Sequence, residues 1–191
     1  MEAPYVGEVV ESSTVEFIVQ CWELHASPPF GSFVIVESTP PIIGIVFNVI
    51  TRSIEPNRRP VAYGKTEEEL MMEQPQIFEL LKTEFEALVL GYSNGLIPRQ
   101  MLPPHPPRIH SFVRPCSPAE TREFTNGWDF LRSILYVSKV PPDELAIAAI
   151  RSAYEAHNQE MGYLVRTGKE LSRLIRGDYD RLSSIIRRVT Q

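Results

Sequence analysis

The chain has 191 residues, of which 43% are hydrophobic and 23% charged, a globular composition that excludes intrinsic disorder. The net charge of −5 excludes a basic surface spread over the whole molecule, as binding of duplex nucleic acid would require. No apolar run reaches the roughly 18 residues of a membrane helix, and the first residues lack the pattern of a signal peptide. We therefore expect a cytoplasmic protein without membrane contact.

The charge is distributed unevenly along the chain. Residues 1–51 contain six acids and no Lys or Arg, whereas residues 161–191 contain seven basic residues and three acids. The simpler interpretation is two solvated surfaces. The alternative is that the two ends contact different partners, or meet head to tail in an oligomer.

The first part of the chain predicts short β-strands. Apolar residues alternate along four segments rich in β-branched side chains: Tyr5–Val10, Thr14–Trp22, Phe33–Val36 and Ile42–Thr51. Gly44, within the fourth segment, is typical of a bulge or a bend. Short strands at near-regular spacing favour a closed barrel or a sandwich over a sheet with crossover helices.

The next part of the chain mixes strands and helices. A short strand at Val61–Gly64 precedes a helical insertion around residues 65–84. Two further strands, Glu86–Tyr92 and Arg108–Val113, complete a barrel domain predicted over residues 1–115. The Pro-rich loop between these two strands is either a plain connection or an extended segment that docks on a partner.

The remaining residues, 116–191, predict a helical region. Two capping boxes, at Ser117–Glu120 and at Thr167–Glu170, indicate helix starts. Apolar side chains recur at helical spacing along Trp128–Val137 and Pro142–His157, and the second of these segments is apolar nearly all round, so it is predicted to be buried.

The end of the chain carries an apolar stripe at helical spacing, which predicts an amphipathic helix. Arg187 falls on its opposite face, and Gly177-Asp178 predicts a kink or a division into two helices. The stripe must be buried either on the chain's own core or on a second subunit, and the sequence leaves both open. Its members are Leu171, Leu174, Ile175, Leu182, Ile185, Ile186 and Val189.

One tripeptide matches the end of a phosphate-binding loop. Gly64–Thr66 reads Gly-Lys-Thr, but Arg59 occupies the position where the motif requires glycine, and three glutamates follow. No apolar strand that ends in acids follows to hold magnesium. We therefore expect no nucleotide binding.

The Cys and His residues do not predict a metal or catalytic site. Neither Cys–His pair has zinc-finger spacing, and nothing local marks a reactive thiol. We expect no metal, no cofactor and no catalytic residue, and an enzyme of an unrecognised type is the least favoured interpretation. The two pairs are Cys21 with His25, and His110 with Cys116.

Four stretches carry a resemblance to a known domain: Gly7–Thr14, Phe17–Val19, Pro28–Val34 and Ile43–Val46. A Gly-x-Val strand opens the pattern, a glycine turn presents the next strand, and a Gly-Ile-Val strand follows. The pattern resembles the HAS barrel, the small barrel at the N-terminus of HerA-type hexameric ATPases and of rotary ATP synthase subunits. Because no ATPase domain follows it here, the chain is similar to a stand-alone HAS-barrel protein.

The residues and the resemblance together predict an α+β fold, with a small N-terminal antiparallel β-barrel followed by a C-terminal helical region. HAS barrels pack side by side in rings and contact partner proteins, so the resemblance implies a non-enzymatic assembly or adaptor module. The implied partner is a protein, either a second copy of the chain or a HerA-type ATPase. The candidate interaction residues are Phe30, Arg58, Arg59, Arg108, Leu182 and Arg187.

The alternative function is that of a nucleic-acid-binding accessory protein. Small barrels bind single strands through basic grooves and stacking aromatic side chains. The barrel segment has no basic residue before Arg52, which disfavours this alternative. It requires that several arginines converge on one rim of the barrel, namely Arg52, Arg58, Arg59, Arg108 and Arg114.

Overall fold

A computed structural model describes residues 4–93, 95 and 97–190. The strands are β1 (Gly7–Ser12), β2 (Glu16–Cys21), β3 (Phe33–Val36), β4 (Ile42–Ser53), β5 (Leu81–Ser93), β6 (Pro98–Arg99) and β7 (Phe112–Pro115). The helices are α1 (Glu67–Glu73), a 3-10 helix at Pro75–Leu80, α2 (Pro118–Phe124), α3 (Asp129–Leu135), α4 (Pro142–Ala156), α5 (Met161–Leu174) and α6 (Tyr179–Val189).

Six of the strands form a closed antiparallel barrel. Their order around the barrel is β2-β1-β7-β3-β4-β5, and the pairing of β5 with β2 closes it. The short β6 lies beside the end of β5. Because helices α2 to α6 follow the barrel, the predicted α+β fold is confirmed, with its N-terminal antiparallel barrel and C-terminal helical region.

The barrel interior is filled by one face of each strand, as expected from the period-two pattern. The predicted irregularity at Gly44 is confirmed, because the register of β4 against β5 shifts between Ile43 and Gly44. A Cβ at Gly44 would lie 2.8 Å from the ring of Phe17, so glycine leaves room for that ring. The interior side chains are Val9, Phe17, Val19, Cys21, Val34, Val36, Ile42, Val46, Phe85, Ala87, Val89 and Val113.

The helical region covers one side of the barrel's outer surface. Phe33 of β3 contacts Phe124 of α2 and Phe130 of α3, with ring centroids 6.1 and 5.9 Å apart. All four residues of β3 are buried, because the barrel interior lies on one face of the strand and the helices on the other. The covered outer residues of the barrel are Phe33, Ile35, Ile43, Ile45, Phe47 and Leu90.

A buried arginine joins the barrel to the helical region. Arg114 of β7 is 4% exposed and forms a two-point ion pair with Glu120 of α2, at 2.8 and 2.9 Å. Its Nε donates to Glu37, 3.0 Å away, in the connection between β3 and β4. Glu120 also accepts from the backbone N–H of Ser117 and so completes the predicted capping box of α2. The hydrogen bonds from Arg114 lower the pKa of the Glu120 carboxyl to about 2.

The end of the chain packs on the chain itself. Asp178 caps α6 after Gly177, whose φ is +83°, so the predicted division into two helices is confirmed. Ile185 and Val189 of α6 are buried, and Leu182 packs partly buried against the same cluster. Ion pairs from α6 to α4 fix this arrangement: Arg181 with Asp143, and Arg188 with Glu144. None of the described helices is long and apolar enough to cross a bilayer.

Four local predictions differ from the structure. Val61–Gly64 is a loop and not a strand. The last barrel strand starts at Phe112 and not at Arg108, because the chain turns at residues 108–111, where the Ser111 N–H donates to the Arg108 carbonyl and His110 has a φ of +67°. The helical insertion ends at Leu80, because the following residues pair with β4 and β2.

The fourth difference concerns Thr167, which is not a helix cap. It lies inside α5 and donates from its hydroxyl to the carbonyl of Tyr163, 2.9 Å away. Inside a helix, Thr and Ser can form this bond to the preceding turn instead of capping a helix start, so a capping-box pattern alone does not fix where a helix begins.

We predict that Glu120→Gln destabilises the fold by about 3 kcal/mol at pH 7, since it removes one of two carboxylates from a buried guanidinium. The pKa of Glu120 in the folded state lies below its unfolded value of about 4.3. The pair therefore stabilises the fold above that pH, and its contribution is lost as the pH falls towards 2. Urea denaturation of the wild type and the variant should show that their difference in free energy of unfolding shrinks as the pH falls from about 4.3 towards 2. The control is Glu123→Gln, an exposed change on the same helix, which should lower the free energy of unfolding by less than about 0.5 kcal/mol. A loss as large as that of Glu120→Gln would contradict the stabilising role of the pair between Glu120 and Arg114.

We predict that Leu182→Asp lowers the free energy of unfolding by about 2 kcal/mol, because it places a charge against the apolar cluster of the helices. The molar mass in light scattering should stay that of the wild type, since the side chain packs within the chain. Ser183→Asp, an exposed change one residue further along α6, is the matched control and should leave the melting temperature unchanged. A folded variant of reduced mass would place the stripe between subunits instead.

Candidate functional site

The arginines proposed for a nucleic-acid rim are not gathered into one free basic surface. Arg114 is buried between Glu37 and Glu120. Arg52 is paired with Glu84, which is 3% exposed. The ammonium of Lys82 also donates a hydrogen bond to the Glu84 carboxylate, at 2.6 Å. Two of the five predicted arginines are therefore hydrogen-bonded to acids of the chain.

The other three arginines are exposed and come from two places. Arg58 and Arg59 lie on the loop that follows β4, where both line the same two concavities. Arg108 lies on the loop before β7, next to Pro107, whose carbonyl accepts from the Ser12 hydroxyl at the end of β1. Arg108 lines neither of these concavities.

The remaining candidate residues lie apart from these arginines. Phe30 is 41% exposed on the β2–β3 loop, and the adjacent Gly31 packs against Ala148 of α4. Leu182 is part of the helical core, and Arg187 is exposed on α6. The structure thus distributes the six predicted residues over the barrel loops and the last helix, without forming one site.

Three exposed aromatic side chains form a cluster that the sequence did not reveal. The rings of Trp22 and Phe112 meet edge to face with centroids 5.4 Å apart, and those of Tyr5 and Phe112 are 5.3 Å apart. We call these three residues the aromatic wall. Trp22 is 53% exposed, Phe112 44% and Tyr5 41%. Aromatic side chains of this exposure are typical of protein interfaces.

A carboxylate fixes the geometry of the aromatic wall. Glu8 of β1 accepts from the indole N–H of Trp22 at 3.1 Å, and its second oxygen lies 3.1 Å from Nδ1 of His110. The backbone N–H of Trp22 donates to the carbonyl of Val6 at 3.0 Å, which ties the end of β2 to the residue before β1. These hydrogen bonds restrain the indole of Trp22 and the chain segment that carries it.

The aromatic wall lies on strands that the helices leave uncovered. The apolar cluster between the barrel and the helices takes residues from β3, β4 and β5, and none from β1, β2 or β7. The wall belongs to these last three strands and their ends. The alternation of apolar and polar residues along β7 is a signal that Phe112 points outward. Its position opposite Glu8 has no such signal, because it depends on the pairing of two strands more than a hundred residues apart in the sequence.

The cysteines and histidines considered for zinc lie in different surroundings. Cys21 points into the barrel, and burial raises the pKa of its thiol to about 11. His25 lies 3.4 Å from the hydroxyl of Thr51, and His110 contacts Glu8. Cys116 is partly buried beside the helical core. Among the described residues, no group of three His, Cys, Asp or Glu is placed to hold a metal ion.

The tripeptide that resembles a phosphate-binding loop serves as a helix start. Thr66 caps α1 and accepts from the N–H of Glu69, whose carboxylate returns to the Thr66 N–H at 2.8 Å. The ammonium of Lys65 is paired with Glu73 at the other end of the helix. The Thr66 hydroxyl and the Lys65 ammonium are therefore already bonded to groups of the chain itself. The three glutamates at the start of α1 would repel a phosphate.

We predict that Cys21 reacts at least about a hundredfold more slowly with a thiol reagent at pH 8 than a free peptide thiol. The raised pKa leaves little thiolate, and the side chain is 6% exposed. A Cys116→Ala variant isolates this thiol, and its absorbance after addition of the reagent gives the rate. Full reactivity in guanidinium is the control, and rapid labelling of the folded protein would contradict the burial of Cys21.

The geometry defines a class of protein: a closed six-stranded antiparallel barrel, covered on one side by helices and carrying an exposed aromatic cluster on the other. The family model of the HAS barrel domain matches residues 6–95. The chain therefore contains a HAS barrel domain, as the resemblance implied. The match includes β1 to β5, and β7, which completes the barrel, follows it in the sequence. No curated protein matches the chain.

Proposed function

We propose that the chain is a non-enzymatic adaptor that docks on a HerA-type ATPase through its aromatic wall. The observation that carries the proposal is the exposure of Tyr5, Trp22 and Phe112 on the side of the barrel that the helices do not cover. HAS barrels occur in ATPase-associated modules, which supports an ATPase as the partner.

Charge indicates the kind of surface that the wall would meet. Residues 1–51, which include most of the wall, carry six acids and no Lys or Arg. A partner surface that offers basic side chains around an apolar recess is complementary to it. Aromatic anchors that enter such a recess commonly provide most of the binding energy of an interface.

Internal pairing of the basic tail favours a different protein over a second copy as the partner. Of the seven basic residues in 161–191, four lie within ion-pair distance of acids of the helical region itself, although the exposed pairs of Arg166 and Arg173 contribute little. A head-to-tail contact between copies would need these charges to be free for the acidic barrel. The four residues are Arg166, Arg173, Arg181 and Arg188.

The proposal leaves catalysis to the partner. The residues that most resembled reactive groups have structural roles in this chain: Cys21 is a core residue, and Thr66 caps a helix. The nucleic-acid alternative is weakened because Arg52 and Arg114 are bound to carboxylates.

The test is titration calorimetry of the purified chain against a purified HerA-type ATPase from the same organism, at low salt. We predict saturable binding that Trp22→Ala weakens by about 2 kcal/mol, roughly thirtyfold in Kd, the scale for an aromatic anchor. Tyr136→Ala, which removes an aromatic side chain exposed at the end of α3, is the matched control and should change nothing.

Two outcomes would overturn the proposal. One is the absence of saturable binding by the wild-type chain, with the ATPase shown to be folded and active. The other is self-association of the chain in light scattering that is lost in Trp22→Ala, because the wall would then join two copies.

A further inference from the structure

The insertion between β4 and β5 buries almost nothing of its own. Every residue in 54–80 retains partial or full exposure, and neither α1 nor the 3-10 helix contributes a buried side chain. The segment is nevertheless rich in large apolar residues: Val61 is 72% exposed and Met72 86%. A segment of this composition that lacks a core of its own is typical of a surface that another molecule covers.

The insertion and the outer end of the β4–β5 hairpin enclose an apolar cavity. Its volume is about 210 Å³. Its apolar lining includes Val61, Tyr63, Leu70, Ile77, Phe78 and Leu81. Pockets that bury a whole drug-sized ligand measure about 300–1,000 Å³. This cavity therefore suits one large apolar side chain of a larger ligand.

A basic concavity of about 600 Å³ adjoins the apolar cavity. The two share a wall made of Ser53, Arg58, Arg59 and Pro60. On the far side of that wall the concavity is lined by Arg52 and Lys82 as well. An apolar recess and a positively charged recess thus lie next to each other.

The positive charge of this concavity is only partly neutralised. Arg52 and Lys82 share the single carboxylate of Glu84. Arg58 lies 3.5 Å from Glu55 with both side chains more than half exposed, an arrangement that contributes little. Arg59 forms no ion pair among the described residues. A local excess of positive charge therefore remains in a protein whose net charge is −5.

We propose that this double recess binds an acidic peptide segment that carries one large apolar side chain. The apolar side chain enters the cavity between Leu70 and Phe78, and the neighbouring carboxylates lie over Arg58 and Arg59. An arginine that meets a carboxylate provides paired, directional hydrogen bonds, and the apolar anchor provides burial.

The recess differs from the aromatic wall in its residues and in its charge. The acid Glu8 contacts the wall at Trp22, and no residue of the wall lines either recess. The two proposals can therefore fail separately: Trp22→Ala should leave peptide binding at the recess unchanged.

The test is a selection of random seven-residue displayed peptides on the full chain. The enriched sequences should carry at least two acids and one large apolar side chain. The best of them, made as a fluorescent peptide, should bind saturably in fluorescence anisotropy. Arg59→Glu should weaken this binding at least tenfold, whereas Arg108→Glu, an exposed change of equal charge elsewhere on the barrel, should leave it within twofold.

The cavity is tested through the peptide, so that the fold of the insertion is left unchanged. Replacing the apolar residue of the peptide with serine should weaken binding at least tenfold. Equal binding of both peptides, equal effects of the two arginine variants, or no enrichment of acidic sequences would overturn the proposal. So would displacement of the peptide by a single-stranded oligonucleotide at lower concentration than by unlabelled peptide, which would assign the recess to nucleic acid.

Discussion

The ion pair of Arg114 is the constraint on which the arrangement of barrel and helices depends. A guanidinium that is 4% exposed must be neutralised, and its two carboxylates come from different parts of the chain. Glu37 follows β3, and Glu120 belongs to the capping box that starts α2. Because one carboxylate both caps the helix and binds the arginine, the direction in which α2 leaves the barrel is coupled to the position of β7. The apolar contacts of Phe33 with the helices follow from that direction.

Covering one side of the barrel decides which part of its outer surface stays exposed. The helices use the outer faces of β3 and β4, and part of β5, to complete their own core. The strands β1, β2 and β7 close the barrel without contributing to that core, so outward side chains such as Phe112 remain exposed, whereas Arg114 on the same face of β7 is buried against α2. The aromatic wall on these strands is not a failure of packing, because Glu8 holds the indole of Trp22 and the ring of Phe112 lies against it. Order combined with exposure is what a preformed interface requires.

The insertion between β4 and β5 illustrates a second way in which a small barrel gains a surface. The two strands pair from Ile42 with Tyr92 out to Ser53 with Leu81, so that the hairpin extends past the last pair of β5 with β2, which joins Gln20 to Glu84. On that base the chain builds an apolar cavity beside a basic concavity, at the cost of leaving residues 54–80 without a buried core. The barrel itself supplies no positive charge before Arg52, so the charge of this surface depends on the insertion and its base.

The sequence by itself determined the features that depend on local pattern. Period-two alternation predicted β1 to β4, the glycine at position 44 predicted the bulge, and Ser117 with Glu120 predicted the start of α2. The same kind of local pattern gave a wrong prediction at two places. Val61–Gly64 was predicted to be a strand and is a loop, and Thr167 was predicted to cap a helix and lies inside α5. Only the tertiary structure decided that Arg114 is buried and that Trp22 meets Phe112. These outcomes depend on the pairing of β1 with β7 and on the packing of α2, which join residues far apart in the chain, and no pattern within a short window of sequence records such contacts.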